Sequence, residues 1–165
     1  MTHEPVKLLH RDVTNNVLRV FYDTYNEIGC GFPEYVYSAA LAIALAGAGL
    51  TVASEVQLPV HFRGIQIARF RIDLLVNDVV LIEVKAAQRI EPWHIAQVRN
   101  YLKASGVSVG MLLNFGAQPT FKRSVFDTAR GTFFTESSYV PDPRISSERN
   151  PTSATHDESA DISDL

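Results

Sequence analysis

The sequence predicts an α/β sandwich, a mixed central sheet flanked by helices. Two helical stretches precede a run of β-branched segments, and a third helical stretch interrupts that run. Val107–Phe115 is nearly all apolar, as an interior strand covered on both faces requires. The resulting order, α-α-β-β-β-α-β-(β), lacks the strict strand–helix alternation of a dinucleotide-binding fold.

Each element has a local reason. Val13, Val17, Val20, Phe21, Thr24 and Ile28 recur at spacings of three and four, which predicts an amphipathic helix with Thr14 as N-cap and Gly29 as its stop. A second helix is expected from Pro33 to Ala48, with Pro suited to the first turn and Gly49 following the end. Its alanine-rich body lets another element approach closely. Thr51–Phe62 and Ile65–Val76 read as strands joined by a hairpin turn at Arg63-Gly64, and Val79–Ala87 as a third strand. Glu91-Pro92 opens a helix that runs to Ser105 and stops at Gly106. Thr120–Phe126 completes the expected sheet as an edge strand.

The chain has 165 residues, 46% of them hydrophobic, enough for one domain with a real core. No apolar run approaches the roughly 20 residues of a membrane-spanning helix. The N-terminal residues lack a basic-then-apolar leader layout. A single cysteine, Cys30, allows no internal disulfide and no cysteine zinc site; it and His61 read as structural or incidental. The expectation is a cytoplasmic, soluble protein with no membrane partner. Residues 1–130 carry a net charge of +2 and residues 131–165 a net −5. From Ser137 onward the chain is rich in Ser, Pro and Asp without apolar period, which predicts a domain over 1–136 and a disordered acidic tail over 137–165.

The strand Val79–Ala87 holds Glu83 and Lys85 in an otherwise apolar run, on one face by strand alternation. The preceding strand holds Asp73 ahead of an apolar run. Charges enter such strands when paired or bound to a metal. Two carboxylates suit a hard divalent cation, and a lysine beside them can orient or deprotonate water. Register decides whether they meet. A two-residue turn at Asn77-Asp78 would put Asp73 and Glu83 on opposite faces; a three-residue loop, Val76 to Asp78, or a β-bulge would put them on one. The alternative is a surface-facing Glu–Lys pair on a half-exposed strand.

Two further features bear on this choice. Glu34 and Tyr37 share a helix face within Gly31-Phe32-Pro33-Glu34-Tyr35-Val36-Tyr37. His94, Gln97 and Tyr101 share a face of the later helix, beside an apolar stripe of Ile95, Val98 and Leu102. Read alone, the first is an acid favoured by the helix dipole, and the second a solvated face with Tyr101 half-buried.

Together, the segment from about Thr14 to Phe126 resembles the GxxExxY family, whose pattern stands at Gly31, Glu34 and Tyr37. That family is placed in the PD-(D/E)XK nuclease superfamily, whose core pattern is matched by Asp73 and Glu83-Val84-Lys85. Gln97 and Tyr101 supply a Gln-x-x-x-Tyr motif similar to the RecB-like exonuclease branch. Ile72 stands where Pro usually precedes the Asp, and Cys30 where Pro is more typical.

The resemblance implies a restriction-endonuclease-like fold and a metal-dependent nuclease acting on nucleic acid, DNA favoured. It implies that Asp73, Glu83 and Glu34 bind Mg²⁺, with Mn²⁺ as substitute and the Val84 carbonyl as a further ligand. All three should converge within reach of one ion. Lys85 would position the attacking water and stabilise charge at the phosphate. Tyr37, Gln97 and Tyr101 would support the site or touch the nucleic-acid backbone. Arg71, with Arg69, shares strand parity with Asp73 and is a candidate phosphate contact; Arg89, Lys103, Lys122 and Arg123 are weaker ones. Trp93 could stack on a base, against the commoner packing of a helix-start aromatic on the core. With the three acids neutralised by metal, residues 1–130 carry +5, which suits a phosphate-bearing substrate. The competing class is a non-catalytic nucleic-acid-binding or protein-interaction module on the same fold. So small a core has little surface to grip a duplex, and a homodimer or a partner protein would supply that grip.

Removing residues 137–165 should leave the melting temperature within about 2 °C of the full chain's, because a polar tail buries little surface. Parallel thermal melts of the two chains check this, and a large drop would show that the tail packs on the domain.

Overall fold

The computed structural model describes residues 8–136; the expected acidic tail lies outside them. The elements are α1 (Arg11–Ile28), α2 (Glu34–Gly47), β1 (Val52–Phe62), β2 (Ile65–Val76), β3 (Val80–Lys85), α3 (Pro92–Ser105), β4 (Val109–Phe115), β5 (Pro119–Asp127) and β6 (Thr132–Glu136). The six strands form one mixed sheet in sequence order. Every neighbouring pair is antiparallel except β3 and β4, which are parallel because α3 carries the chain back between them. The sheet is flanked by helices on both faces, as the sequence predicts.

α1 and α2 cover one face. Val17, Val20, Phe21, Tyr25, Tyr37, Leu41 and Leu45 pack there on Leu74, Val76, Ile82, Val84, Met111, Leu113 and Phe115. α3 covers the other, with Val98, Tyr101 and Leu102 on Leu58, Ile72, Leu81 and Leu112. β3 and β4 are buried along their whole lengths because they lie between the two helical layers. Gly110 lets α3 sit close, since a Cβ there would stand 2.6 Å from Val98 Cγ1. The β1–β2 hairpin closes through Arg63 and Gly64, at φ 50° and 80°, with Phe62 paired to Ile65. Two left-handed residues in a two-residue loop match the right-handed twist of the strands.

Two features differ from the sequence reading. α1 starts at Arg11, so Thr14 is not its cap. Thr14 is fully buried within the helix, and its Oγ1 donates to the Arg11 carbonyl (3.2 Å). β5 is not an edge, because β6 pairs beyond it. That strand follows a turn in which the Asp127 side chain accepts from the backbone N–H groups of Ala129 and Arg130 and Gly131 takes φ 65°. Its last residue, Glu136, receives Arg11 (3.0 Å) and the buried Arg123 (3.7 Å), tying the sheet edge to the start of α1.

α3 is rotated relative to the expected apolar stripe. His94, Val98, Tyr101 and Leu102 face the sheet, and Ile95 is only half-buried. His94 faces inward because its Nδ1 accepts from the Glu91 N–H (2.9 Å), half of a reciprocal cap in which Glu91 accepts from His94's backbone.

Asn114 is the one polar side chain of β4. Its Oδ1 accepts from Ala87 N–H (2.9 Å) and its Nδ2 donates to Ala87 O (2.9 Å), so the amide pairs with the chain just past β3 as a strand would. Asn114→Leu should destabilise the fold by about 1–3 kcal/mol, because both Ala87 groups lose their partners. Urea unfolding measures it, and an unchanged midpoint would show that solvent replaces the amide.

Candidate active site

The site forms where β2 and β3 stop pairing. Their ladder has three pairs, Leu74 with Ile82, Leu75 with Leu81 and Val76 with Val80. The loop between them is therefore Asn77–Val79, three residues long, one position later than the expected Val76–Asp78 loop but of the same parity. Asn77 and Asp78 take φ 49° and 58°, and Asn77 pairs with Thr51 through both its backbone N–H and its Oδ1 (2.8 Å each). This register places Asp73 level with Glu83.

β2 also changes face at Asp73. Ile72 packs under α3, whereas Leu74 packs under α1 and α2, although a regular strand puts residues i and i+2 on one face. Across β1 the same happens between Val52 and Val56, and Glu55 between them takes φ 53°. Asp73 thus stands at a twist in the strand rather than on either helical layer. Its Oδ2 accepts from the Val84 N–H (2.8 Å), a donor that the ended ladder leaves free.

Glu83 and Lys85 both point towards the α3 layer and are 3% and 8% exposed. Lys85 Nζ donates to Glu83 Oε1 at 2.7 Å. Glu83 Oε2 is buried without a hydrogen-bond partner. The surface-facing Glu–Lys alternative is therefore excluded. Burial raises the Glu83 carboxyl to about 7, the charge of Asp73 adds to this, and Lys85 opposes it. Burial likewise raises Asp73, against the Val84 hydrogen bond and Lys85. Burial acts to lower Lys85, but the hydrogen bond and charge of Glu83, with Glu34 and Asp73, outweigh it and hold the ammonium above its ordinary value. Burial and then the charge of Lys85 lower His94.

Glu34 begins α2 and is exposed. It lines a cleft of about 600 Å³ with Asp73, Arg71, Glu55, Tyr35 and Ser38. Tyr37 sets its position. That side chain is fully buried and stacks on Phe115 (4.4 Å between ring centres); its hydroxyl donates to Gly29 O and accepts from Phe32 N–H, 3.0 Å each. It clamps the turn that leads into α2, where Gly31 takes φ 110°, and is too deep to touch a nucleic acid. Gln97 Nε2 donates to the Tyr101 hydroxyl at 2.7 Å, and Tyr101 packs on Phe70. Burial raises the Tyr101 phenol. Arg71 is exposed in the cleft and bonds Glu55 at 3.2 Å.

The expected convergence of three carboxylates is not met. Among the described residues no three Asp, Glu, His or Cys side chains stand close enough to hold an ion together. Glu83 pairs instead with Lys85 and Asp73 with the Val84 N–H, while Glu34 lines the cleft. The donor set still fits a hard cation. It supplies carboxylate oxygens, and one of them, Glu83 Oε2, is a buried acceptor lacking any donor.

Residues 11–125, more than two thirds of the chain, match the PD-(D/E)XK nuclease superfamily. The chain belongs to that superfamily. Its nucleases generally use divalent metals, and Asp73, Glu83 and Lys85 all fall within the matched segment. One solved structure, described as the crystal structure of SSO0001, aligns with a TM-score of 0.41 and 16% identity over 62% of this chain. The chain spans 49% of that protein. No curated protein matches it. Among the described residues no helix is long and apolar enough to cross a membrane.

Sequence reasoning missed two supports, Asn114 and the inward-facing His94. A lone Asn in an apolar strand was a usable signal for the first. Nothing local marked the second except the Glu91–His94 spacing.

Glu83 makes a signed prediction for the metal-free chain. Its folded value of about 7 lies above the ordinary 4.5, so between those values the folded chain holds a proton that the unfolded chain releases. Stability should fall as pH rises from 4.5 to 7, by on the order of 3 kcal/mol. Glu83→Gln should flatten that decline in urea titrations run with a chelator. An equal slope in both chains would show that other groups carry it.

Proposed function

We propose that this chain is a metal-dependent nuclease that hydrolyses phosphodiester bonds of nucleic acid, DNA first, in the cytoplasm. The observation that carries this is the set Asp73, Glu83 and Lys85 at the β2–β3 break, with Glu83 and Lys85 buried deeply enough to be costly unless used. The motif at Gly31, Glu34 and Tyr37 supports the GxxExxY family within the superfamily. Gln97 and Tyr101 support its RecB-like branch.

Asp73 and Glu83 would hold Mg²⁺, or Mn²⁺ in its place, with Glu34 and the Val84 carbonyl completing the set. When bound, the ion neutralises the carboxylates and polarises a phosphoryl oxygen. Lys85, held in its ammonium form, donates hydrogen bonds; it orients the attacking water and stabilises negative charge that grows on the phosphate. Glu34, carried by a helix start, adjusts the charge balance across the cleft. Arg71 takes a phosphate when the strand enters, in exchange for Glu55. Gln97 and Tyr101 fix the wall behind Glu83. A homodimer or a partner protein supplies the wider grip on the substrate.

The experiment separates ion binding from chemistry. Calorimetric titration with Mg²⁺ should give heat in wild type and in Lys85→Ala, and none in Asp73→Ala or Glu83→Ala. Hydrolysis of single- and double-stranded DNA and RNA should fall by at least about 100-fold in Lys85→Ala. Cleavage at the wild-type rate in Lys85→Ala would assign the activity to a contaminant or to another mechanism. Nucleic-acid binding with no cleavage in wild type would favour a non-catalytic module on this fold.

A further inference from the structure

Trp93, the only tryptophan of the chain, does not pack on the core as a helix-start aromatic commonly does. It is 63% exposed. One part of the indole rests on His94, with ring centres 3.7 Å apart. The ring forms the shared wall of two hollows. The first, about 570 Å³, is lined by Ala87, Gln88, Arg89, Glu91 and His94 and opens two residues past Lys85. The second, about 380 Å³, is lined by Phe70, Ala96, Gln97, Asn100 and Tyr101. The first is lined by Ala87, two residues past the end of β3 at Lys85, and the second by Tyr101 of α3, the helix layer towards which Glu83 and Lys85 point.

The two hollows offer flat aromatic walls from Trp93, Phe70 and Tyr101, together with amide edges from Gln97 and Asn100. That combination suits a planar heterocycle with polar edges. A base within a duplex has both faces stacked and cannot enter, whereas an unpaired base can. We propose that Trp93 is a base-stacking platform that receives an unpaired base of single-stranded DNA next to the phosphodiester held at Asp73, Glu83 and Lys85. The inference rests on the nuclease reading and narrows its substrate to strands with unpaired bases at the cleavage point. Arg89 flanks the entrance and is 82% exposed, bonded to Glu91, where it can meet the backbone of the same strand.

The lone tryptophan supplies a readout independent of catalysis. The full-length Lys85→Ala chain, with Mg²⁺ present, is titrated with end-labelled oligothymidylate, with an abasic strand of the same length and with a blunt duplex, recording label anisotropy and tryptophan fluorescence together. Quenching is expected with oligothymidylate and not with the abasic strand or the duplex. Trp93→Ala in the same background should weaken oligothymidylate binding by roughly 5- to 100-fold, and Trp93→Phe should restore most of it. Binding without quenching, equal quenching by the abasic strand or the duplex, or unweakened binding by Trp93→Ala would each overturn the platform while leaving the nuclease reading intact. No anisotropy change with any strand or duplex would overturn nucleic-acid binding itself, and the platform with it.

Discussion

The structure turns on the parting of β2 and β3 after three ladder pairs. Two strands that diverge inside a covered sheet leave backbone groups and side chains without their usual partners, in a place water reaches poorly. Asp73 answers the first problem by accepting from Val84 N–H. Glu83 and Lys85 answer the second only in part, since each is the other's partner and Glu83 Oε2 remains without one. A buried ion pair of this kind is a poor source of stability, because desolvation offsets most of its attraction. An apolar pair of similar volume would serve the fold as well or better. The arrangement makes physical sense as a site that is completed from outside.

The rest of the molecule holds that opening in place. Asn114 grips Ala87 just after β3 leaves the ladder, so the chain past Lys85 keeps a fixed path. Tyr37 anchors the turn before α2 from inside the core, and this sets how far Glu34 stands from Asp73. Gln97 bonds Tyr101 on the wall under α3, and His94 turns inward to close its own helix cap. Asn114, Tyr37 and His94 bond groups where backbone pairing has ended or has not begun, whereas the Gln97–Tyr101 bond lies along α3.

What could be read in the sequence follows from the range of the interactions involved. Strand alternation is local, so the shared face of Glu83 and Lys85 was legible, as was the need for an odd loop after β2. The loop's position was not, because Asn77 selects it by pairing with Thr51, a residue 26 positions away. Thr14 read as a cap because Thr favours that role; its burial against the sheet instead is a tertiary effect. The short β6 carries little pattern of its own and is held through Glu136 by Arg11 and Arg123. The face of α3 was misjudged because polarity alone assigned His94 to solvent and left Tyr101 half-buried, while their hydrogen bonds let both turn inward.

The same contrast divides the candidate site itself. Asp73, Glu83 and Lys85 stand on strands of one sheet, where register sets their spacing to within the tolerance of a hydrogen bond. Glu34 stands at the start of a helix reached through an exposed turn, and its position depends on one buried tyrosine. On the proposed nuclease reading, the sheet would set the spacing of Asp73 and Glu83, and the Tyr37 clamp that of Glu34. The carboxylates already act on one another at this separation: the charges of Asp73 and Glu34 both help to raise the Glu83 carboxyl, and a cation placed among them would remove that penalty.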